Sequence, residues 1–210
     1  MKIIKSSAEI INFTPDLEKT IELAARNCYK SEERIGEGTS DKIIKHILTN
    51  NHLSCIEHGA ITVRFICDRG ISHEIVRHRV ASFSQESTRY CSYDKEKFGK
   101  EITVIDPRGS FWNSESVEDQ IRFDIWYYAM EMIENAYFNL LNQGATPQEA
   151  RSVLPNSLKT EIVMTANPRE WRLIFELRTS KAAHPQIREI MIPLQKQFQE
   201  KWPAIFGTSE

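Results

Sequence analysis

Arg77–Tyr90 reads RHRVASFSQESTRY. Fourteen residues hold three arginines, a histidine, four serine or threonine hydroxyls, a glutamine and a carboxylate, with only Val80, Ala81 and Phe83 suited to a core. Arginine's planar fork donates paired hydrogen bonds to phosphate or carboxylate and keeps its charge at any working pH. The composition therefore implies a polar, anionic ligand, and the stretch itself reads as irregular or strand-like. Its flanks decide the fold class. GAITVRFICD (59–68) is rich in β-branched and aromatic residues and predicts a strand, and GISHEIVRHR (70–79) predicts a short helix.

Further out, FTPDLEKTIELAARNCYKS (13–31) predicts a helix capped by Thr14 with Pro15 in its first turn, and SDKIIKHILTNNHLS (40–54) a second, capped by Ser40 or Asp41. EITVID (101–106) is a short strand inside the loop-rich stretch Asp94–Asn113. Residues 114–144 form a long amphipathic helix in which Val117, Ile121, Ile125, Tyr128, Met132, Ala136 and Leu140 recur at helical spacing, with Gly144 as its stop. Thr146, Pro147 and Glu149 open another helix through a capping box. LKTEIVMTAN (158–167) alternates as a strand. Asn167 and Pro168 open a helix through Arg178, and HPQIREIMIPLQKQFQEKW (184–202) closes the chain with a kink at Pro193. Helices mixed with a few strands, without a dividing linker, place the chain in the α/β or α+β class as a single domain over residues 1–210.

The bulk numbers bound the function. A chain of 210 residues buries roughly 70% of its unfolded surface and needs no covalent staples. A net charge of −2 argues against a nucleic-acid coat. No apolar run reaches the roughly 18 residues of a membrane span, and the first residues do not resemble a secretion signal, so the expected address is cytoplasmic. Cys28, Cys55, Cys67 and Cys91 form no C-x-x-C pair and read as free thiols in a reducing compartment; Cys91, near Arg89, is the mild candidate for reactivity.

Metal chemistry is disfavoured. HEIVRH (73–78) misses the zinc motif H-E-x-x-H by one residue: on a helix, five residues turn about 500°, leaving the two rings about 140° apart. HLSCIEH (52–58) has no second ligand cluster at zinc spacing, so its histidines are hydrogen-bonded surface groups or contacts to a ligand. Walker and Rossmann glycine loops are missing, so phosphates would fall to the arginines. Arg178 stands on the same helical face as Trp171 and Ile174, where its head either reaches water or meets an anion. Arg151 fits a solvated helix charge as well as an anion contact. Asn167 caps a helix whose first amides could also meet a polar ligand.

Together these segments resemble the flavin-dependent thymidylate synthases. The signature Arg-His-Arg, seven residues, Ser is met by Arg77, His78, Arg79 and Ser87. TPDLEKTIELAARNCYKS, NHLSCIEH, ARSVLPNSLKTEIVMTAN and REWRLIFELR look like the family's flanking segments, in order. The resemblance implies a single-domain α/β (α+β) fold with an antiparallel-rich sheet flanked by helices, and a homotetramer whose sites are shared between subunits. It implies conversion of dUMP to dTMP on FAD, with methylenetetrahydrofolate as one-carbon donor and NADPH as reductant, without a cysteine nucleophile, a metal, a nucleic acid or a membrane. Residue by residue, Arg178 looks like the arginine that polarises the uracil ring, and His52 like a catalytic histidine beside the flavin. Glu74, Arg77, Gln85, Ser87, Thr88, Arg89, Arg151 and Arg178 look like dUMP contacts. Ser54, His78, Arg79, Val80, Asn167, Arg169 and Leu173 look like FAD contacts. Gln85 stands where some members carry Glu, Leu173 where members often carry His or Asn, and Gln186 where an acid is frequent. Three other readings compete: a sister enzyme adding a hydroxymethyl group, a nucleotide- or RNA-binding module without catalysis, and a metallohydrolase.

Overall fold

The computed structural model describes residues 1–96 and 99–207. Its elements run β1 (Lys2–Ile4), β2 (Ser7–Phe13), α1 (Leu17–Tyr29), α2 (Thr39–Thr49), β3 (Ile61–Asp68), α3 (Arg69–Ile75), β4 (Ala81–Gln85), β5 (Thr103–Ile105), α4 (Val117–Asn142), α5 (Pro147–Ala150), β6 (Lys159–Ala166), α6 (Pro168–Arg178), α7 (Pro185–Lys201) and α8 (Pro203–Phe206), with 3-10 turns at Glu32–Arg34, Leu53–Glu57 and Arg151–Val153. The expected loop-rich stretch Asp94–Asn113 includes Lys97 and Phe98, which lie outside the described residues.

The fold class is α+β. Four strands form one sheet in the order β2-β3-β6-β4. Its sense is antiparallel: the Thr14 amide donates to the Ala60 carbonyl while Glu9 meets Arg64, Thr62 near the start of β3 meets Thr165 near the end of β6 at 2.9 Å, and Gln85 at the end of β4 reaches Thr160 at the start of β6. Burial alternates along β6 and along β3 as far as Cys67, as the two-residue period of a strand demands, with Asp68 buried as well at the end of β3. β1 and β5 pair in parallel, Ile3 opposite Val104.

The chain divides into two compact units. The first holds Met1–Ser7, Phe65–Arg77 and Ser84–Ile162, and the second Ala8–Arg64, His78–Phe83 and Val163 onward. In the first, Tyr93, Ile102, Val104, Met130, Tyr137, Ala150 and Leu158 form one buried cluster, and the Tyr137 hydroxyl accepts a hydrogen bond from the Tyr93 amide at 3.3 Å. In the second, Trp171, Phe175, Phe198, Trp202 and Phe206 make a chain of ring contacts between α6, α7 and α8. α1 and α2 are joined by buried Glu22, whose carboxylate accepts from Arg26 Nε at 2.9 Å and from the Ser40 hydroxyl at 2.8 Å.

Four local expectations need correction. Thr14 does not cap α1: its hydroxyl accepts from the Ala60 amide at 2.9 Å, and Asp16, at φ 47°, precedes the helix instead. Neither Ser40 nor Asp41 caps α2, which starts at Thr39 behind Gly38, because the Ser40 hydroxyl is committed to Glu22. HEIVRH is not one helix: α3 ends at Ile75, leaving His73 in the first unit and His78 in the second. Finally, the first five residues of the stripe picked out along α4 lie on its outer face, while Leu140 packs against the buried cluster. Val117, Ile121, Ile125, Tyr128 and Met132 are each more than half exposed, while Phe123, Met130 and Tyr137, at i, i+7 and i+14, are buried. α4 does stop where expected, with Gly144 at φ 86°. No helix among the described residues is long and apolar enough to cross a membrane.

Gly59 ends the HLSCIEHG segment at φ 122°, and a Cβ there would lie 2.3 Å from buried Leu17 Cδ1. Both the backbone conformation and the space exclude a side chain. Gly59→Ala should lower unfolding stability by about 1–3 kcal/mol in a denaturant titration.

Candidate active site

In the first unit, residues 85–89 meet α5 and the turn that follows it. The loop after β4 folds back at Ser87, whose carbonyl accepts from the Cys91 amide at 2.9 Å. This turn presents Arg89, whose Nε donates to Gln148 Oε1 at 3.0 Å, and Thr88, buried and within 3.5 Å of Arg151 Nη1. α5 is held by Glu149, whose carboxylate accepts from both the Thr146 amide and hydroxyl at 2.8 Å. Two exposed arginines, Arg89 and Arg151, thus flank this turn, Arg89 reaching Gln148 and Arg151 reaching Thr88. Such a pair of forks beside hydroxyl donors suits a phosphate. Glu86 is turned to a structural use, paired with Lys159 at 3.1 Å, and Lys159 in turn pairs with Glu161.

Gln85 has its own logic. Its amide nitrogen donates to Ser72 Oγ at 2.8 Å and Thr160 Oγ1 at 3.2 Å, both on fully buried residues. The Ser72 hydroxyl already donates to the Arg69 carbonyl at 2.8 Å, so its oxygen can only accept from residue 85. A glutamine supplies that donor and a glutamate does not. Glu74 lies half-buried on α3 and Arg77 is exposed just beyond it.

The second unit holds the remaining predicted residues. Arg77, His78 and Arg79 alternate exposed, buried, exposed, with Val80 exposed after them. His78 Nε2 accepts from Arg178 Nε at 3.0 Å, and its Nδ1 lies 3.5 Å from Glu170 Oε1. The Arg178 question is therefore answered by a third partner, a neutral imidazole on the core side of α6. Burial first, then the Arg178 charge, push the His78 imidazole down to about 4, and burial pushes the Glu170 carboxyl up. Asn167 caps α6, its side chain accepting from the Glu170 amide at 2.9 Å. His52 is exposed with Nδ1 3.1 Å from the Tyr29 hydroxyl, and Ser54 is exposed on the neighbouring 3-10 turn. Arg169 is ion-paired with Glu57 of that turn.

A cavity of about 550 Å³ opens in this unit between that turn, α6 and α7. Arg169 and Leu173 line it, joined by Arg172, Glu176, Gln195 and Gln199. Its lining carries two amides, the Glu176 carboxylate and two guanidinium groups, Arg169 paired with Glu57 and Arg172 donating to the Ile205 carbonyl, at a volume within the usual range for ligand sites, roughly 300–1,000 Å³. The expected flavin contacts all fall in the second unit. The expected dUMP contacts, Arg178 excepted, fall in the first. Sequence reasoning missed Gln148, Arg172 and Glu170. Gln148 and Glu170 stand in helix-opening motifs, where their neighbours' capping roles absorbed the reading.

Burial raises the Cys55 thiol and pushes Cys67 up to about 12. No group of three or more His, Cys, Asp or Glu residues able to hold a metal occurs among the described residues.

Comparison with known proteins bears on this arrangement. The family model described as "Thymidylate synthase complementing protein" matches residues 9–204. A flavin-dependent thymidylate synthase of Geobacter sulfurreducens is 31% identical over 204 residues, covering 94% of this chain and 84% of that one. One of Pyrococcus furiosus is 34% identical over 189 residues, covering 86% and 74%. In fold, the chain is similar to the UMP/dUMP methylase PolB of Streptomyces cacaoi, solved with 5-Br dUMP, at a TM-score of 0.83 and 21% identity over 98% of this chain and 95% of that one.

Two outcomes are expected of these side chains. Gln85→Glu should cost about 1 kcal/mol of stability in denaturant unfolding, since one hydrogen bond to a buried hydroxyl is lost. His78 binds fewer protons in the native state than its unfolded counterpart at about 6.5. Stability should therefore fall as pH drops from about 6.5 towards 4. Glu170 contributes with the opposite sign, and it is present in both proteins when wild type is compared with His78→Gln. The melting temperature of His78→Gln should decline less steeply across that window.

Proposed function

Because the chain belongs to the flavin-dependent thymidylate synthase family, we propose that it carries out the reductive methylation of dUMP to dTMP as one functional domain. In this reading FAD is the cofactor, methylenetetrahydrofolate the one-carbon donor and NADPH the reductant. The carrying observation is Arg178: a guanidinium on the core side of α6, anchored through Nε on a buried, neutral imidazole. A fixed charge in a partly dry site stabilises negative charge developing on a uracil ring better than a solvated one, because it needs no reorganisation.

Arg77, Ser87, Thr88, Arg89 and Arg151 bind the nucleotide, the arginines and hydroxyls serving its phosphate. Gln85 has its amide nitrogen committed inward, which suits its carbonyl oxygen to accept from the base; Glu74 stands on the neighbouring helix. Ser54, His78, Arg79, Val80, Asn167, Arg169 and Leu173 hold the flavin, with Arg169 supplying a charged contact from the cavity and His52 standing beside it. When bound, the flavin supplies the hydride chemistry. No cysteine nucleophile is used, in keeping with the raised Cys55 and Cys67 thiols.

The active assembly in this reading is a homotetramer. The support is the apolar seam of α4, Ile121, Ile125, Tyr128 and Met132 at 4-3-4 spacing, exposed in a single chain and patterned for a second helix. The address is the cytoplasm, where four free thiols stay reduced.

The test is a product mass. Protein incubated with dUMP, FAD, NADPH and methylenetetrahydrofolate should add one methylene to the nucleotide. A gain of methylene plus oxygen would favour hydroxymethylation and direct attention to Leu173, an apolar residue on the cavity wall. An unchanged nucleotide would reject both. Arg178→Lys should leave the fold intact and reduce turnover about 100-fold or more, because a point charge cannot replace the fork. Full turnover in that variant would remove Arg178 from the chemistry.

A further inference from the structure

The hydrogen bond between Arg178 and His78 fixes more than a distance. An arginine Nε always carries its hydrogen, so His78 Nε2 must be a lone-pair acceptor, and the ring proton must sit on Nδ1. That proton faces the Glu170 carboxylate at 3.5 Å. All three groups belong to the second unit, and the two ends lie on one helix: Glu170 in the first turn of α6 and Arg178 at its end, roughly 12 Å apart along the axis. The imidazole, 5% exposed, bridges them. Glu170 is itself 8% exposed, and its backbone amide is tied to the Asn167 cap. A buried carboxylate facing one ring nitrogen determines the tautomer of a histidine and thereby what the other nitrogen can do.

Resting on the reading of Arg178 given above, we propose that Glu170 and His78 are positioning residues: Glu170 holds His78 as its Nδ1–H tautomer, and His78 fixes the plane of the Arg178 guanidinium by accepting at Nε. The root of the fork is then locked, and the orientation of the two terminal nitrogens follows. Without Glu170 the imidazole is free to carry its proton on Nε2, where two N–H groups would oppose each other and Arg178 would swing away. Chemistry that depends on a placed charge is sensitive to such a displacement: about 1 Å can cost on the order of 100-fold in rate. His78 thereby acquires a role toward the substrate side in addition to any contact with the flavin.

The experiment compares Glu170→Leu, which removes the acceptor, with Glu170→Gln, which keeps an acceptor and removes the charge, both as flavin-loaded enzyme. Glu170→Leu should lose about 10- to 100-fold in kcat while its flavin content and KM for dUMP stay near wild type, and Glu170→Gln should recover most of the rate. Nitrogen-15 NMR of labelled histidine should report Nδ1–H at His78 in the wild type and in Glu170→Gln, and a shift toward Nε2–H in Glu170→Leu. An Nε2–H tautomer in the wild type, or an unchanged kcat in Glu170→Leu, overturns the proposal, and the NMR result decides it even if Glu170→Leu does not fold. Impaired Arg178→Lys with unimpaired Glu170→Leu rejects the positioning role alone. Full turnover in Arg178→Lys rejects the reading of Arg178 and the positioning role with it.

Discussion

The placement of every functional group on α6 depends on Trp171. Its ring is fully buried, its indole N–H donates to the Ile61 carbonyl at 3.1 Å, and it packs against Phe175 and Phe198. An indole N–H buried without an acceptor would cost a hydrogen bond's worth of free energy, so the side chain has one satisfactory orientation at the edge of β3. With Trp171 inward, the helical period sends Ile174 and Phe175 inward, brings Arg178 to the same side two turns later, and sends Leu173 and Leu177 out. One hydrogen bond between a helix and a strand therefore sets the rotation on which Glu170, Leu173 and Arg178 all rely.

What could be read from sequence was what depends on local periodicity. The strands β3 and β6, the stop of α4 at Gly144 and the opening of α6 at Asn167 all follow from alternation or from residues with special backbone preferences. Two of the failures come from side chains spent on distant partners. Thr14 looked like a cap but serves Ala60, 46 residues away. Ser40 looked like a cap but serves Glu22. α4 carries apolar residues on two faces, and periodicity alone cannot say which one meets the first unit's core. The bond between His78 and Arg178 joins residues 100 positions apart, beyond the reach of any pattern argument.

The Arg-His-Arg run spans the division between the two compact units. Arg77 lies in the turn after α3 and His78 and Arg79 in the irregular segment before β4, where two exposed arginines flank one buried histidine. The boundary between the compact units falls inside the run, after Arg77. Arg77 falls in the same unit as Ser87, Arg89 and Arg151, and His78 is tied to α6 through Arg178 and Glu170.

Cys67 has a different consequence. It sits in β3 with no exposed surface and a thiol pushed up to about 12, so the folded protein offers an alkylating reagent neither access nor thiolate. Cys28, on α1, is exposed to the reagent. The two thiols form a natural clock. The modification rate of Cys67 counts how often β3 opens, with Cys28 registering the reagent's intrinsic speed, so the opening of the sheet can be timed in the unmodified chain without adding a probe.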